Sequence, residues 1–583
     1  MSAETIAQCD GIPYPFIHGV ASGDATQHEV ILWTRITQPD LTGTESVRWY
    51  ISEDAGFSEP LYTGVVATDE TKDYTVKTDV GFLQPDTWYY YCFEWNGIRS
   101  EAGRTHTLPM VAGRFSFAAF SCANYELGYF NALNNAASRN DLHAVFFLGD
   151  YYYEISYGSG PAERTYDPPY EAYLLDDYRR RHAQHAQDPD VQWLRRQYPW
   201  YVIWDDHEFA NDAWYGGAPG HDDSQLSWQQ RKEAARRAYF EWMPIRESES
   251  GNIHRTFEIE NLIRLVFVDS RMEGRMQQVD ASSEETNDPT RTILGSGQLD
   301  WLKDELLTAD ADQWKVMLNS VMVNRAIDAS GYPLDNDVWE GYRPERDSLL
   351  RFIRNHQIEN FISVAGDYHS SWAGNLPLND YDEMLQTGSA GVELSVCATS
   401  SSPHTVGDIP AFMKINPHIE WIEQTSNGYL LCSATQENFY SKWIYVSTVL
   451  STDYSVTEGQ VVRVEKSNPF LILENESFEL PLNDALHLSQ HTAPLTLSGW
   501  MDDVKYYPVP ADDQLTIEFF STCGTAQIKF YDLLGRLIAE YNPTFDHSGK
   551  KRLTFDLNSL PSGSYLLQMI QGGDEHVKHV ILR

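Results

Sequence analysis

The chain has 583 residues, 13% of them aromatic and 42% apolar; that length exceeds one hydrophobic core, and that composition argues against extensive disorder. A formal net charge of −41, from 84 acidic residues against 43 Lys and Arg, argues against a basic surface for nucleic acid or anionic membranes. Six cysteines without CxxC spacing, Cys9, Cys92, Cys122, Cys397, Cys432 and Cys523, exclude a zinc ribbon, a thioredoxin-like motif and a dense disulfide framework.

The first ten residues lack a basic start followed by an apolar run, and no later stretch approaches membrane-spanning length. From 14 to 110, short alternating runs such as Val30–Thr34, Ser46–Tyr50 and Trp88–Phe93 are separated by turn residues. Their spacing predicts an amino-terminal β-sandwich of immunoglobulin or fibronectin type. From 111 to 470 the pattern becomes α/β, with helical stretches between the apolar runs Phe115–Phe120, Ala144–Leu148, Trp200–Trp204, Ile263–Val268, Trp314–Leu318 and Phe361–Ala365. Such continuous runs predict β-sheets layered with helices. Residues 471–502 read as a linker, and 503–583 as a second, smaller β-sandwich.

Polar clusters follow the apolar strands: Ser121-Cys122-Ala-Asn124-Tyr125, Gly149-Asp150-Tyr-Tyr-Tyr153-Glu154, Trp204-Asp205-Asp206-His207-Glu208-Phe-Ala-Asn211-Asp212 and Gly366-Asp367-Tyr-His369-Ser-Ser-Trp372. Loops beyond strand carboxyl ends converge on shared sites. The clusters supply thiolate, phenolate, carboxylate, amide and imidazole donors, a mixture that suits a trivalent or borderline metal beside a hard divalent one. Metals of this kind neutralise phosphate charge, activate water and stabilise a departing oxygen. Asp150 is suited to bridging two ions, and His207 to protonating a leaving group. A turn cap, or an orienting contact to Asp150, is the competing role for His207.

The order and content of these clusters resemble the PhoD-like alkaline phosphatases, a branch of the metallophosphoesterases. Phe16-Ile-His-Gly-Val-Ala-Ser-Gly-Asp24 and Leu32-Trp-Thr-Arg35 resemble that family's amino-terminal domain, although Ala25 stands where the family usually has Pro. The resemblance spans roughly Tyr14 to Phe470. It implies a Fe3+ site made by Cys122, Asp150, Tyr153 and His369. It also implies Ca2+, two ions, with Asp150, Asp206 and Asp367 as ligands and Asp205 and Asn211 as additional ones. His207 corresponds to the general-acid histidine, with Asp206 in place of the superfamily's Asn. Tyr178-Arg179-Arg180-Arg181 resembles a phosphate-clamping segment in which Arg179 or Arg181 would bind the ester, the alternative being a solvated helix face.

Tyr507-Pro-Val-Pro-Ala-Asp, Phe530-Tyr-Asp-Leu-Leu-Gly-Arg536 and Leu560-Pro-Ser-Gly-Ser-Tyr-Leu566 resemble the type IX secretion sorting domain, with Val509 departing from the usual Asn. That resemblance implies a secreted or cell-surface protein whose signal peptide is not in this chain. The expected activity is hydrolysis of phosphate monoesters, with diesters as further substrates, by a metal-activated hydroxide with His207 as proton donor. Competing readings are a phosphodiesterase or phospholipase-like hydrolase on the same centre and a non-catalytic surface-binding protein. The segments Tyr157–Pro169 and Gln278–Arg291 are either specificity loops or structural decoration.

Overall fold

The computed structural model describes residues 15–38, 41–161, 163–248, 251–475 and 478–481, and, beyond these, 505–507, 514–521, 524–532, 537–545, 549–556, 563–571 and 574–582. Cys9, Val509, Cys523 and residues 482–502 of the expected linker lie outside them. Among the described residues Cys92, Cys122, Cys397 and Cys432 are buried and unpaired, and no helix is long and apolar enough to cross a membrane.

A ten-stranded and a seven-stranded sheet form the body of the molecule. Side chains of successive strand residues point to opposite faces, so a strand covered on both sides is largely apolar. Ile263–Phe267 illustrates this, with Arg264 its one polar residue. Its Phe267 ring meets Phe146 of the ten-stranded sheet at a centroid distance of 5.5 Å and Tyr201 at 6.2 Å. Val266 faces the other way, into a core with Leu302 and Leu306 of helix Ser296–Thr308 and Leu349, Leu350 and Ile353 of helix Arg343–Asn355. On the far side of the ten-stranded sheet, Phe147 stacks on Trp200 at 5.7 Å, and the Tyr429 hydroxyl donates to Asn135 of helix Asn131–Ala137 at 2.8 Å. The two sheets are thus packed face to face with helices outside.

At the centre of the larger sheet, Arg114–Phe120, Ala144–Leu148 and Pro199–Ile203 are parallel neighbours. In the smaller sheet Trp314–Asn319, Phe361–Ala365 and Thr387–Ser395 are parallel neighbours. Each parallel set therefore releases its carboxyl-terminal loops at one edge.

The strands of the expected amino-terminal β-sandwich over 14–110 divide between two sheets. Val20–Gly23 pairs in parallel with Pro199–Ile203, and Val30–Arg35 and Thr75–Val80 extend the same ten-stranded sheet. The other amino-terminal strands, Glu45–Ser52, Tyr62–Thr68, Trp88–Trp95, Ile98–Arg99 and Gly103–His106, make a five-stranded sheet of their own. Val20–Gly23 is buried at all four positions, which suits a strand inside a large sheet. Past the expected boundary at 470 the chain continues on the same body. Leu471–Glu474 pairs with residues 461–464 as the edge of the ten-stranded sheet, and Leu480 is buried in the same core.

Past residue 505, a three-stranded and a four-stranded sheet are described. Leu515, Ile517 and Phe555 of the first share one small core with Ile528, Phe530, Leu567 and Met569 of the second.

Candidate functional site

The strand-end residues are held in strained turns. Cys122, Asp150, Asp367 and His369 have positive φ values of 57°, 54°, 66° and 58°, a region that non-glycine residues rarely enter and that concentrates at functional sites. Two glycines let the loops close on one another. A Cβ on Gly149, whose φ is +98°, would lie 2.4 Å from the Asp205 Cβ, and one on Gly366 would lie 2.9 Å from the Ser121 Cβ. Gly366 thereby brings the smaller sheet's loop against the larger sheet's first strand end. The buried Glu208 carboxylate accepts the backbone N–H groups of Asp150 at 3.0 Å, Tyr151 at 2.6 Å and Asp205 at 2.8 Å, joining two of the loops. Burial nevertheless pushes its carboxyl up to about 8.

All four residues expected at the ferric site meet. One ligand atom each from Cys122, Asp150 and His369 lie within 4.8 Å of one another. The Tyr153 hydroxyl lies 3.1 Å from Asp150 Oδ2 and 3.1 Å from His369 Nε2, and accepts from Ser401 at 2.8 Å. His369 Nδ1 donates to the Ser402 carbonyl at 2.9 Å, which turns the Nε2 lone pair toward the cluster. Burial, with His404 assisting, lowers the His369 pKa to about 3, so the ring is the neutral imidazole a metal requires.

Three further clusters adjoin the first: Asp150, Asp206 and His207; Asp205, Asp206 and Asp367; and Asp206, Asp212 and Asp337. Burial, then crowding by neighbouring carboxylates, raises Asp150 and Asp367 well above the carboxylate range and raises Asp206 as well. Asp150 Oδ1 and Asp206 Oδ1 are buried with no hydrogen-bond partner among the described residues. Orphaned acceptors in an over-acidic pocket fit bound cations, whose charge would relieve both conditions. Asp205 is differently placed. Both of its oxygens accept from the fully buried Arg271, and Oδ1 also accepts from Ser320 at 2.8 Å. Arg271 further contacts Asp337 at 2.5 Å, Asp206 at 3.6 Å and Asp367 at 3.8 Å.

His207 Nδ1 is 2.6 Å from Glu154 Oε2, and Glu154 Oε1 accepts the Asn211 backbone N–H at 2.7 Å. Burial disfavours the charged ring, but Glu154, Asp206 and Asp150 outweigh it and hold His207 well above its ordinary 6.5. His207 and Asn211 line an open cleft of ≈ 430 Å3 together with Asp150, Tyr153, Asp206, Asp367 and His369. Tyr157 and Gln278, the first residues of the two segments singled out from the sequence, line it too.

Neither expected phosphate clamp lines this cleft. Arg179 makes a bidentate pair with Glu241, 2.7 Å to each oxygen, and donates to the Thr71 carbonyl. Arg181 is buried and donates to the backbone carbonyls of Tyr153, Glu154, Pro168 and Tyr170. Both roles are corrected: one arginine ties helix Leu175–Gln187 to helix Trp228–Trp242, and the other supports the loop that carries Tyr153.

Glu154, Glu208, Asp212 and Ser401 also serve this site without having been given roles from the sequence. Three of them stand inside the quoted motifs, where the spacing to ligands was the available signal. Arg271 follows strand Ile263–Phe267, so the same strand-end rule points to it. Asp337 and Ser401 lie in loops without such a marker.

Comparison with known proteins agrees with the geometry. Residues 117–443 match the family of PhoD-like phosphatases, residues 3–109 match that family's N-terminal domain, and residues 505–583 match the secretion system C-terminal sorting domain. Alkaline phosphatase D of Bacillus subtilis (strain 168) is 32% identical over 453 residues, which cover 72% of this chain and 76% of that protein. A solved structure described as the structure of PhoD aligns with a TM-score of 0.73 at 28% identity, over 80% of this chain and 94% of that one. The chain belongs to the PhoD-like phosphatase family and is a phosphoric ester hydrolase. Its sorting domain marks it as a secreted or cell-surface protein.

Proposed function

We propose that this enzyme hydrolyses phosphate monoesters in the His207 cleft, with Fe3+ held by Cys122, Asp150, Tyr153 and His369. Two Ca2+ ions would be held by Asp150, Asp206 and Asp367, with Asn211, Asp212 and Asp337 close by. The metals would supply Lewis-acid charge for the phosphate and lower the pKa of water. Thiolate and phenolate donors suit the ferric state, and the carboxylates suit calcium. Residues 505–583 would deliver the enzyme through type IX secretion machinery.

The observation that carries the catalytic reading is the His207–Glu154 pair at 2.6 Å, beside Asp150 and Asp206 in the cleft. Glu154 accepts the hydrogen bond from Nδ1–H, fixes the ring's orientation and leaves Nε2–H as the donor for the leaving-group oxygen. The Glu154 carboxylate in contact with Nδ1 favours the protonated ring, which keeps a proton on Nε2 for the departing oxygen. His369 stays neutral to serve as a ligand, and Glu208 keeps the loops in register. Intact donors in every cluster favour this reading over a non-catalytic binding protein.

The test is His207→Gln assayed on two monoesters and one diester. Turnover of an alkyl phosphate is expected to fall by about 10²–10⁴-fold, and that of 4-nitrophenyl phosphate far less, because its leaving group departs without a proton. Equal losses on both would remove His207 from the acid role, and faster diester than monoester turnover by the unmutated enzyme would favour the diesterase. Glu154→Gln removes the carboxylate that does most to raise His207. The protonated ring is the active form, so the alkaline limb of the pH–rate profile should move to lower pH.

A further inference from the structure

The cleft that would receive the ester carries no Lys or Arg among the described residues that line it, but it carries six aspartates. Five of the six fall in the clusters able to hold metal, where bound cations would offset them. The guanidiniums beneath the cleft are committed: Arg271 to Asp205 and Asp337, and Arg275 to Asp337. Asp335 is the sixth aspartate. It belongs to none of the metal-competent clusters and has no ion-pair partner among the described residues. Its side chain accepts one bond, from the Asp337 backbone N–H at 2.7 Å, and it remains partly exposed at the cleft wall. That wall also includes His404, whose ring packs on His369 at 4.4 Å. Asp335 is thus a carboxylate with free acceptor capacity, set beside the proposed metal centre but outside its candidate ligand groups.

We propose that Asp335 selects substrates by the charge of their alcohol portion: the cleft takes phosphate esters of cationic or uncharged alcohols, such as amino alcohols, and turns away esters that carry a second anionic group. This rests on the phosphatase reading above. A carboxylate on a cleft wall attracts an ammonium and repels a carboxylate or further phosphate. A substrate with several phosphates would meet no basic side chain on the walls able to receive the additional charge.

The experiment uses the full metal-loaded chain and three esters built on the same two-carbon spacer: phosphoethanolamine, propyl phosphate and 3-(phosphonooxy)propanoate, which carry an amine, a methyl or a carboxylate on the second carbon. The expected order of kcat/KM is amine, then methyl, then carboxylate. Asp335→Asn should compress the amine-to-carboxylate ratio by about tenfold, and Asp335→Lys should reverse it. The metal content of each variant is measured alongside. In the unmutated enzyme the same ratio should shrink as salt rises from low ionic strength, since screening weakens such selection; this arm decides the matter if a variant loses metal. Hydrolysis of all three esters at equal kcat/KM, or a ratio unmoved by Asp335→Asn with metal retained, overturns the proposal and leaves the phosphatase reading intact. Failure to hydrolyse any of the three overturns the phosphatase reading itself.

Discussion

Arg179 and Arg181 stand two positions apart on helix Leu175–Gln187, and tertiary contacts give them unrelated tasks. The Arg179 guanidinium is taken up by Glu241 at 15% side-chain exposure, remote from the cleft lining, so Arg179→Ala should leave KM for a phosphate ester where it was. A rise in KM of tenfold or more in steady-state assays would restore the clamp that the motif suggested. The same distinction explains which site residues were legible. Cys122, Asp150, Tyr153, Asp206, His207, Asp367 and His369 could be read from the sequence because donor chemistry is a property of the residue, and each follows an apolar run. Arginine serves equally as anion clamp, ion-pair partner or buried donor, and its partners come from other elements. Asp205 combines two uses: it belongs to a group able to hold a metal with Asp206 and Asp367, and its oxygens also accept from Arg271 and Ser320. Glu208 could not be told from a ligand because its partners are backbone N–H groups, which no motif displays.

The strands that root the site were legible almost to the residue. Ala144–Leu148 and Phe361–Ala365 coincide with their apolar runs, and Pro199–Ile203 is displaced by one position, because strands buried on both faces are dominated by apolar residues, Ser363 being an exception. Partnership between strands was not legible. The pairing of Val20–Gly23 with Pro199–Ile203 joins residues far apart in sequence, and local alternation carries no record of it. The strand Leu471–Glu474 is short and follows a turn-rich stretch, so it read as linker. What turns these strands into a site is the sharp departure of the chain at each carboxyl end, which Gly149 permits between Leu148 and Asp150. Gly149→Ala combines a φ of +98° with a 2.4 Å approach to Asp205 Cβ. It should destabilise the protein by about 2–3 kcal/mol and lower metal occupancy, as measured by denaturant unfolding and elemental analysis. Unchanged stability would show that the loop tolerates a side chain there.

Across the whole molecule, two facing sheets bring loops from distant parts of the chain into one cleft. Cys122, Asp150 and His207 come from the larger sheet and Asp367 and His369 from the smaller, with Gly366 packed against Ser121 where they meet. The large negative charge has a local counterpart here, since the cleft gathers aspartates whose ionisation is opposed by burial and by one another. Buried acids crowded in this way are stable as carboxylates when cations share the site. The central claim is therefore a metal claim, and the most direct measurement is elemental analysis of the purified protein paired with phosphomonoester turnover before and after chelation. The account predicts iron and calcium in the protein, with turnover lost on chelation and regained when both metals return. Iron-free protein of undiminished, chelator-resistant activity would contradict it.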